Sequence, residues 1–327
     1  MNRIKIYFSI LILTFLVGCS SGEKKIIGIS KIVSHPALDA VEKGIVDEIV
    51  EQKIKVEFDL QNANGDLNTA GSIAAKFKNE KVAVAIGIAT PVAQALVNTL
   101  KSTPILFSAV TDPVKAGLVA SISPGDPWVT GVSDMTPVKE QISLLVRLKP
   151  IKRLGLIYSS HEANAVVLAN IAKEVCKELG LEVVEATVTS SSEVKQAAQS
   201  IINRIDAIYV STDNTVVSAL AYISELAIKY KIPIFSADPT SAEKMDILAA
   251  WGFDYYKMGR ITGKMAIEIL KGKKVSEMGT RFMTDPSDID LLINLDVAKK
   301  LSITIPEDVL KNANTIIKDG KVLKKAQ

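Results

Sequence analysis

Histidine and cysteine are scarce in this chain: His35 and His161 are its histidines, Cys19 and Cys176 its cysteines, among 327 residues. Neither histidine sits in a recognisable triad motif with a nucleophile, so the chain has no visible framework for acyl-transfer catalysis. Two cysteines, the second inside the helical stretch ANIAKEVCKELG, exclude a disulfide scaffold and a cysteine-ligated zinc site. A cofactor-independent racemase with two facing lobes would want paired cleft cysteines, and Cys176 stands alone. Phosphate-binding signatures are missing too: neither G-x-x-x-x-G-K-[ST] nor G-x-G-x-x-G follows a strand-like run, and Gly87-Ile88-Ala89-Thr90 lacks the glycines. Asp285, Asp288 and Asp290 in TDPSDIDLL do not keep calcium-loop spacing and read as a solvated turn. The basic end KDGKVLKKAQ reads as a solvated tail. No catalytic residue, metal or cofactor is expected.

Charge of one sign is lacking as well, with 39 basic against 36 acidic side chains, which argues against nucleic acid as a partner. Aromatics are only 5% of the chain, leaving few platforms for a ligand recognised by stacking. The one long apolar run, Ile6 to Val17, follows Arg3 and Lys5 and ends in Leu16-Val17-Gly18-Cys19. It is short for a membrane span of about 20 residues and has the layout of a signal peptide. Residues 1–18 are therefore expected to be a leader, and 19–25 a polar tether to the folded part.

From Lys25 onward, apolar runs of Val, Ile and Ala alternate with segments of helical period, as expected for parallel sheets covered by helices. KKIIGIS leads into HPALDAVEKGIVDEIVEQ, KVEFDLQNA into GDLNTAGSIAAKFKNE, and KVAVAIGIA into TPVAQALVNTL. SISPGDPWVTGVSD, rich in Pro, Gly and Asp, marks a crossover. A second series follows, with KRLGLIYSS, LEVVEATV and IDAIYVS as strands and TVVSALAYISELAIKY as a helix. The series share wording: PILFSAVTDP echoes in PIFSADP, and ATPVAQAL in DNTVVSAL. The expected fold is α/β, with two Rossmann-like lobes meeting at a hinged cleft. Lobe one is assigned 26–131 plus 252–284, and lobe two 132–251 plus 285–327.

The strand-to-helix junctions collect Ser30, His35, Thr90, Ser108, Asp112, Ser160, His161, Glu162, Asn164, Thr212, Asp213, Asn214 and Asp238. Each alone is explained by helix capping, at about 1 kcal/mol. Together they face the carboxyl edge of the sheets, where open α/β folds bind ligands. A zwitterionic amino acid suits them. The helix start at Thr90-Pro91 offers N–H groups to a carboxylate, and Asp112, Glu162, Asp213 or Asp238 an acceptor to the ammonium.

The lipobox-like LVGC, with IIGISKIVSHPALDAVEKGI, IGIATPVAQAL, PILFSAVTDPVKAGLV, VTGVSD, YVSTDNTVVSAL, PIFSADP and GFDYYKMGRITG, resembles the substrate-binding lipoproteins of ABC importers assigned to tryptophan, tyrosine or phenylalanine. The resemblance implies a type I periplasmic-binding-protein fold, crossed three times between lobes, that delivers a ligand to a membrane permease and its ATPase. It implies lipid on Cys19, an extracytoplasmic location, and a site from Ser30, His35, Ala89, Thr90, Ser108, Asp112, Glu162, Asn164, Thr212, Asp213, Asn214 and Asp238. Thr90 is assigned to the carboxylate and Asp213 to the ammonium. An aromatic amino acid is the narrower expectation; a nucleoside or sugar binder, or a ligand-sensing receptor domain, shares the fold. Asp246-Ile247, Trp251 and Trp128 depart from the family pattern; bulk near the hinge would narrow the pocket, whereas Trp251 reads by the general burial of Trp as ordinary interlobe core.

Overall fold

In a computed structural model, residues 25–325 are described. The leader and Cys19 lie outside them. The first sheet is built by β1 (Ile26–Lys31), α1 (Pro36–Glu51), β2 (Glu57–Asn62), α2 (Leu67–Asn79), β3 (Val84–Ile88), α3 (Thr90–Thr99), β4 (Ile105–Val110) and β5 (Val129–Ser133). The chain then crosses to α4 (Val138–Leu148), β6 (Arg153–Ser159), α5 (Ala163–Glu178), β7 (Glu182–Val188), α6 (Val194–Ile201), β8 (Ala207–Val210), α7 (Asn214–Ser218), α8 (Leu220–Lys229), β9 (Ile234–Ser236), α9 (Pro239–Ala242) and β10 (Ala249–Phe253). It returns through α10 (Tyr255–Leu270) and β11 (Arg281–Phe282). It then crosses again to β12 (Ile289–Asn294), α11 (Leu295–Lys300), α12 (Glu307–Asn312), β13 (Thr315–Lys318) and β14 (Lys321–Lys324).

The first sheet has six strands in the order β11-β5-β4-β3-β1-β2, all parallel. The second has eight, ordered β14-β13-β12-β10-β9-β8-β6-β7. Its far edge is not parallel: β12 runs antiparallel to β10, and β14 antiparallel to β13. The chain re-enters this sheet from the other lobe and so meets β10 running the opposite way. The β13–β14 pair is a hairpin whose Asp319-Gly320 turn has φ of 53° and 70°, the left-handed pair that matches strand twist. Strands β3, β4 and β5 are buried at every position because helices cover both faces, which explains their unbroken Val/Ile/Ala content.

Two local expectations differ from the structure. WGFDYYKMGRITGKMAIEILKGKK, expected from its period to be one capped helix over 251–274, begins instead with the end of strand β10, and α10 starts only at Tyr255, where Asp254 caps it by accepting from the Lys257 N–H at 3.0 Å. The segment read as one helix from Thr215 to Tyr230 is α7 and α8, broken at Ala219.

Helix α10 binds the returning chain tightly to the first lobe. A Cβ on Gly44 of α1 would lie 2.2 Å from the Tyr256 carbonyl, and one on Gly259 2.2 Å from that of Val41, so the helices meet backbone to backbone. Beside this crossing Arg260 binds Glu48 at 2.7 Å and Glu51 at 2.6 Å. On the second lobe, the buried Gln141 of α4 donates to the Trp251 carbonyl of β10 at 2.6 Å and accepts from the Tyr209 hydroxyl of β8 at 2.6 Å.

Candidate ligand-binding site

Strands β1, β3, β4, β6, β8 and β9 end at one seam between the lobes, and the helix starts that follow them converge there. Under the seam lies an inner chamber of ≈ 10 Å³, lined by His35 and Leu38 from the first lobe, Asn164, Thr212 and Asp238 from the second, and Asp134 and Tyr255 from the connections. Above it an outer chamber of ≈ 160 Å³ has Ile32, Val33, Leu67 and Pro91 on one wall and His161, Glu162 and Ser190 on the other. Asn214 lines both.

The inner chamber has room for about one water-sized group. Yet the polar atoms around it are not satisfied. His35 Nδ1 and Nε2, Asn164 Oδ1, Thr212 Oγ1 and Asp238 Oδ2 are all buried with no hydrogen-bond partner. Leaving such a group unpaired costs about 1–3 kcal/mol, more if charged. Four unpaired side chains turned on one small space are the makings of a site for a polar ligand group.

The other carboxylates at the seam are already engaged. Asp213 accepts from the Val216 N–H at 3.0 Å, as the cap of α7, and from the Ser159 N–H at the end of β6 at 2.6 Å. Burial, then the charge of Glu162, pushes its carboxyl up to about 8, against the pull of these amides. Glu162 accepts from the Thr215 N–H and hydroxyl at 2.8 and 2.6 Å and from the Asn214 amide. Its role is to fix the start of α7. Asp238 differs: Oδ1 caps α9 by accepting from the Ser241 N–H at 3.0 Å, and Oδ2 is left over.

Sequence reasoning missed Asp134 and Tyr255. The Tyr255 hydroxyl donates to Asp134 Oδ2 at 3.1 Å and the Thr111 hydroxyl to Oδ1 at 3.2 Å. Burial raises Asp134 to about 6 and carries the Tyr255 hydroxyl well above its ordinary range. Asp134 closes the stretch VTGVSD, an acid at a strand end like the others. Tyr255 was hidden because its segment reads as the interior of a helix. Burial lowers the proton affinity of His35, against the charge of Asp238.

Several expected residues lie elsewhere. The Ser108 hydroxyl is bonded to that of Thr262 at 2.8 Å and braces β4 against α10. Asp112 caps its own turn, accepting from the N–H groups of Val114 and Lys115. Ser30 is buried at the end of β1 with its hydroxyl unpartnered and lines neither chamber. Ala89 precedes α3 at φ 80°, a left-handed setting that costs about 1–3 kcal/mol. The α3 start has no side-chain cap, and the Thr90 hydroxyl beside it is buried and unpaired. The departures from the family pattern do not narrow the pocket. Ile247 is in the second-lobe core, Asp246 pairs with Lys300 at 2.8 Å, Trp251 packs against the second-lobe core and Trp128 is 39% exposed. Cys176 is buried, its thiol pushed up to about 11.

Size alone does not select the site. A groove of ≈ 490 Å³ lies between Tyr256, Asp254, Asp290 and Lys324. Its acids are engaged: Asp254 caps α10, Asp290 accepts from Thr315 and Glu243 pairs with Lys324 at 3.0 Å. Among the described residues no group of three or more His, Cys, Asp or Glu side chains is set to hold a metal ion, and no helix is long and apolar enough to cross a membrane.

Two crossed lobes, helix starts gathered at their seam and an enclosed polar chamber define a solute-binding protein of the type I periplasmic fold. The chain belongs to the ABC transporter substrate-binding proteins, whose family model matches residues 26–317. These are binding proteins rather than enzymes, and they work outside the cytoplasm. A tyrosine-binding protein of Clostridioides difficile is 38% identical over 288 residues, covering 86% of this chain and 82% of that protein. The structure of an ABC domain in complex with L-Trp from Streptococcus pneumonia is 33% identical and covers 90% of this chain and 100% of that one, with a TM-score of 0.85. The ligand-free, open structure of a Clostridium difficile substrate-binding protein with adhesive properties is 38% identical, covers 87% of this chain and 97% of that one, and gives 0.64. The chain thus superposes better on the L-Trp complex than on the open, ligand-free structure. The lobes of this chain stand together, as the narrow seam also shows.

Proposed function

We propose that this protein captures an aromatic amino acid between its lobes and delivers it to a membrane permease driven by its ATPase. The observation that carries the reading is the set of unpaired atoms around the inner chamber. An ammonium has three donors and no acceptor, and Asp238 Oδ2, Asn164 Oδ1 and Thr212 Oγ1 offer three acceptors in a space the size of one such group. Asp238, rather than Asp213, takes the charge because it alone of the pair has an oxygen to spare. The carboxylate goes to the uncapped start of α3, where Pro91 lines the outer chamber and Thr90 beside it lines neither, because a helix start favours an anion. The ring lies in the outer chamber against Ile32, Leu67 and Pro91. At ≈ 160 Å³ that space compares with cavities of about 150 Å³ that hold benzene. Relatives named for tyrosine or bound to L-Trp support the same ligand class.

The expected lobe boundaries at 131/132 and 251/252 fall inside β5 and β10, so the lobes are assigned 26–133 plus 254–284 and 134–253 plus 285–327, and the leader 1–18 is removed to leave lipid on Cys19. Mass spectrometry of the membrane fraction tests the anchor, and an unmodified soluble N-terminus refutes it. The ligand is tested by a thermal-shift and calorimetric screen of amino acids, nucleosides and sugars. A ligand at 100 times its dissociation constant adds about 2.7 kcal/mol. A melt raised by nucleosides or sugars and by no amino acid overturns the assignment.

A further inference from the structure

The inner chamber gathers carboxyl groups with no lysine or arginine among the residues that line it. Asp134 reaches it from the β5–α4 link, Asp213 from the start of α7 and Asp238 from the start of α9, with Glu162, at the start of α5, beside Asp213. Neither chamber is lined by lysine or arginine; His161 lines the outer one beside Glu162, and Lys31, at the end of β1, is bound by Asp39 and Glu42 of α1 at 2.7 and 3.0 Å. Burial lowers the proton affinity of His35, before α1, against the charges of Asp238, Asp39 and Glu162. The groups bonded to Asp134, Tyr255 of α10 and Thr111 after β4, are neutral donors. Opening the lobes would admit water to the chamber that Asp134, Asp213 and Asp238 line, whereas closing them shuts these carboxylates in where charges interact strongly. Asp238, 1% exposed with Oδ2 unpaired, points to a cation from outside the protein.

We propose that the cleft closes only when this carboxylate cluster is neutralised, and that a ligand ammonium and solvent protons are alternative ways of neutralising it. The inference rests on the ammonium placement given above. It makes positive charge, and not hydrogen bonding alone, the condition for closure, so that an aromatic amino acid with an acylated nitrogen is refused. It also gives closure of the ligand-free protein a pH dependence. In the closed form Asp134 sits at about 6 and Asp213 at about 8, whereas a solvated aspartate titrates near about 3.9. The closed form therefore holds protons that the open form has released, and lowering the pH favours closing.

Small-angle scattering of the purified protein between about pH 8.5 and pH 5 tests this across the window set by those values. It is recorded without ligand, with L-tyrosine or L-tryptophan, and with their N-acetyl derivatives, for the wild type and for Asp134→Asn. The ligand-free protein is expected to become more compact as the pH falls, and the free amino acid to compact it already at the highest pH. The N-acetyl derivative is expected to do nothing there. Asp134→Asn, with one charge fewer, compacts at a higher pH than the wild type. A ligand-free profile that does not change with pH overturns the inference even if the amino acid binds, and so does closure by the N-acetyl derivative. Compaction by protons with no response to either amino acid at any pH overturns the ligand assignment instead and leaves proton-driven closure standing.

Discussion

Tyr255 and Asp134 join two of the three connections between the lobes: the tyrosine opens α10, where the chain returns, and the aspartate follows β5, where it leaves, with the hydroxyl 3.1 Å from Oδ2. Both side chains are buried. Tyr255→Phe keeps the ring and removes the donor. Hydrogen bonds to a charged group contribute about 1.5–3 kcal/mol, so denaturant unfolding should show a loss of that size. An unchanged midpoint would remove this pair from the account of how the connections are held.

Asp134 also predicts a pH dependence with a definite sign. Its carboxyl sits at about 6 when folded and near about 3.9 when unfolded. Between those values the folded state holds the proton and the unfolded state has lost it, so rising pH destabilises the fold through this group. In Asp134→Asn that contribution is absent. The stability of the wild type relative to the variant should fall as the pH is raised from about 4 to 6 and level off above, by up to about 1.4 kcal/mol per pH unit. Urea titrations of both proteins across the range measure it.

Asp238 and Asp213 should separate binding from stability. Asn at position 238 still caps α9 but offers no charge to the ammonium, so Asp238→Asn should weaken ligand binding by about 1.5–3 kcal/mol with the melt of the ligand-free protein little changed. Asp213→Ala removes a cap, costing about 1 kcal/mol, and strands the buried Ser159 N–H, costing about 1–3 kcal/mol more. Its main effect should be on unfolding, with a smaller one on calorimetric affinity. The reverse pattern would return the ammonium to Asp213.

Gly259→Ala tests the backbone-to-backbone crossing of α1 and α10. The new methyl would meet the Val41 carbonyl at 2.2 Å, and overpacking of this kind costs about 1–3 kcal/mol or more. A lowered thermal midpoint is expected. Gly71, in α2, is the control: a methyl added there would have nothing within 4 Å, so Gly71→Ala should hold or raise the midpoint.

The two-lobed plan was legible because buried parallel strands write themselves as apolar runs and their helices as amphipathic ones. IIGISK and VAIGI could be placed from composition alone. The antiparallel edge was not, since pairing direction depends on where the chain re-enters a sheet and leaves no local mark. His35, Asn164, Thr212 and Asp238 were found from their place after strands. What the sequence could not show was which of the acids had an oxygen to spare. Asp213 and Asp238 look alike there, and only the Ser159 amide, distant in sequence, distinguishes them. Ser108 and Asp112 were drawn in by the same rule and turned out to serve Thr262 and a local turn.

Gln141 ties α4 to both β8 and β10 and so fixes the base from which two of the connections depart. The short stretches around Asp134 and Asp254 then lie side by side, tied by the Tyr255 hydroxyl. Pins set close together on a rigid frame would favour turning about one axis, like a door on its frame. Each closure about such an axis would bring His35 back to the same place opposite Asp238.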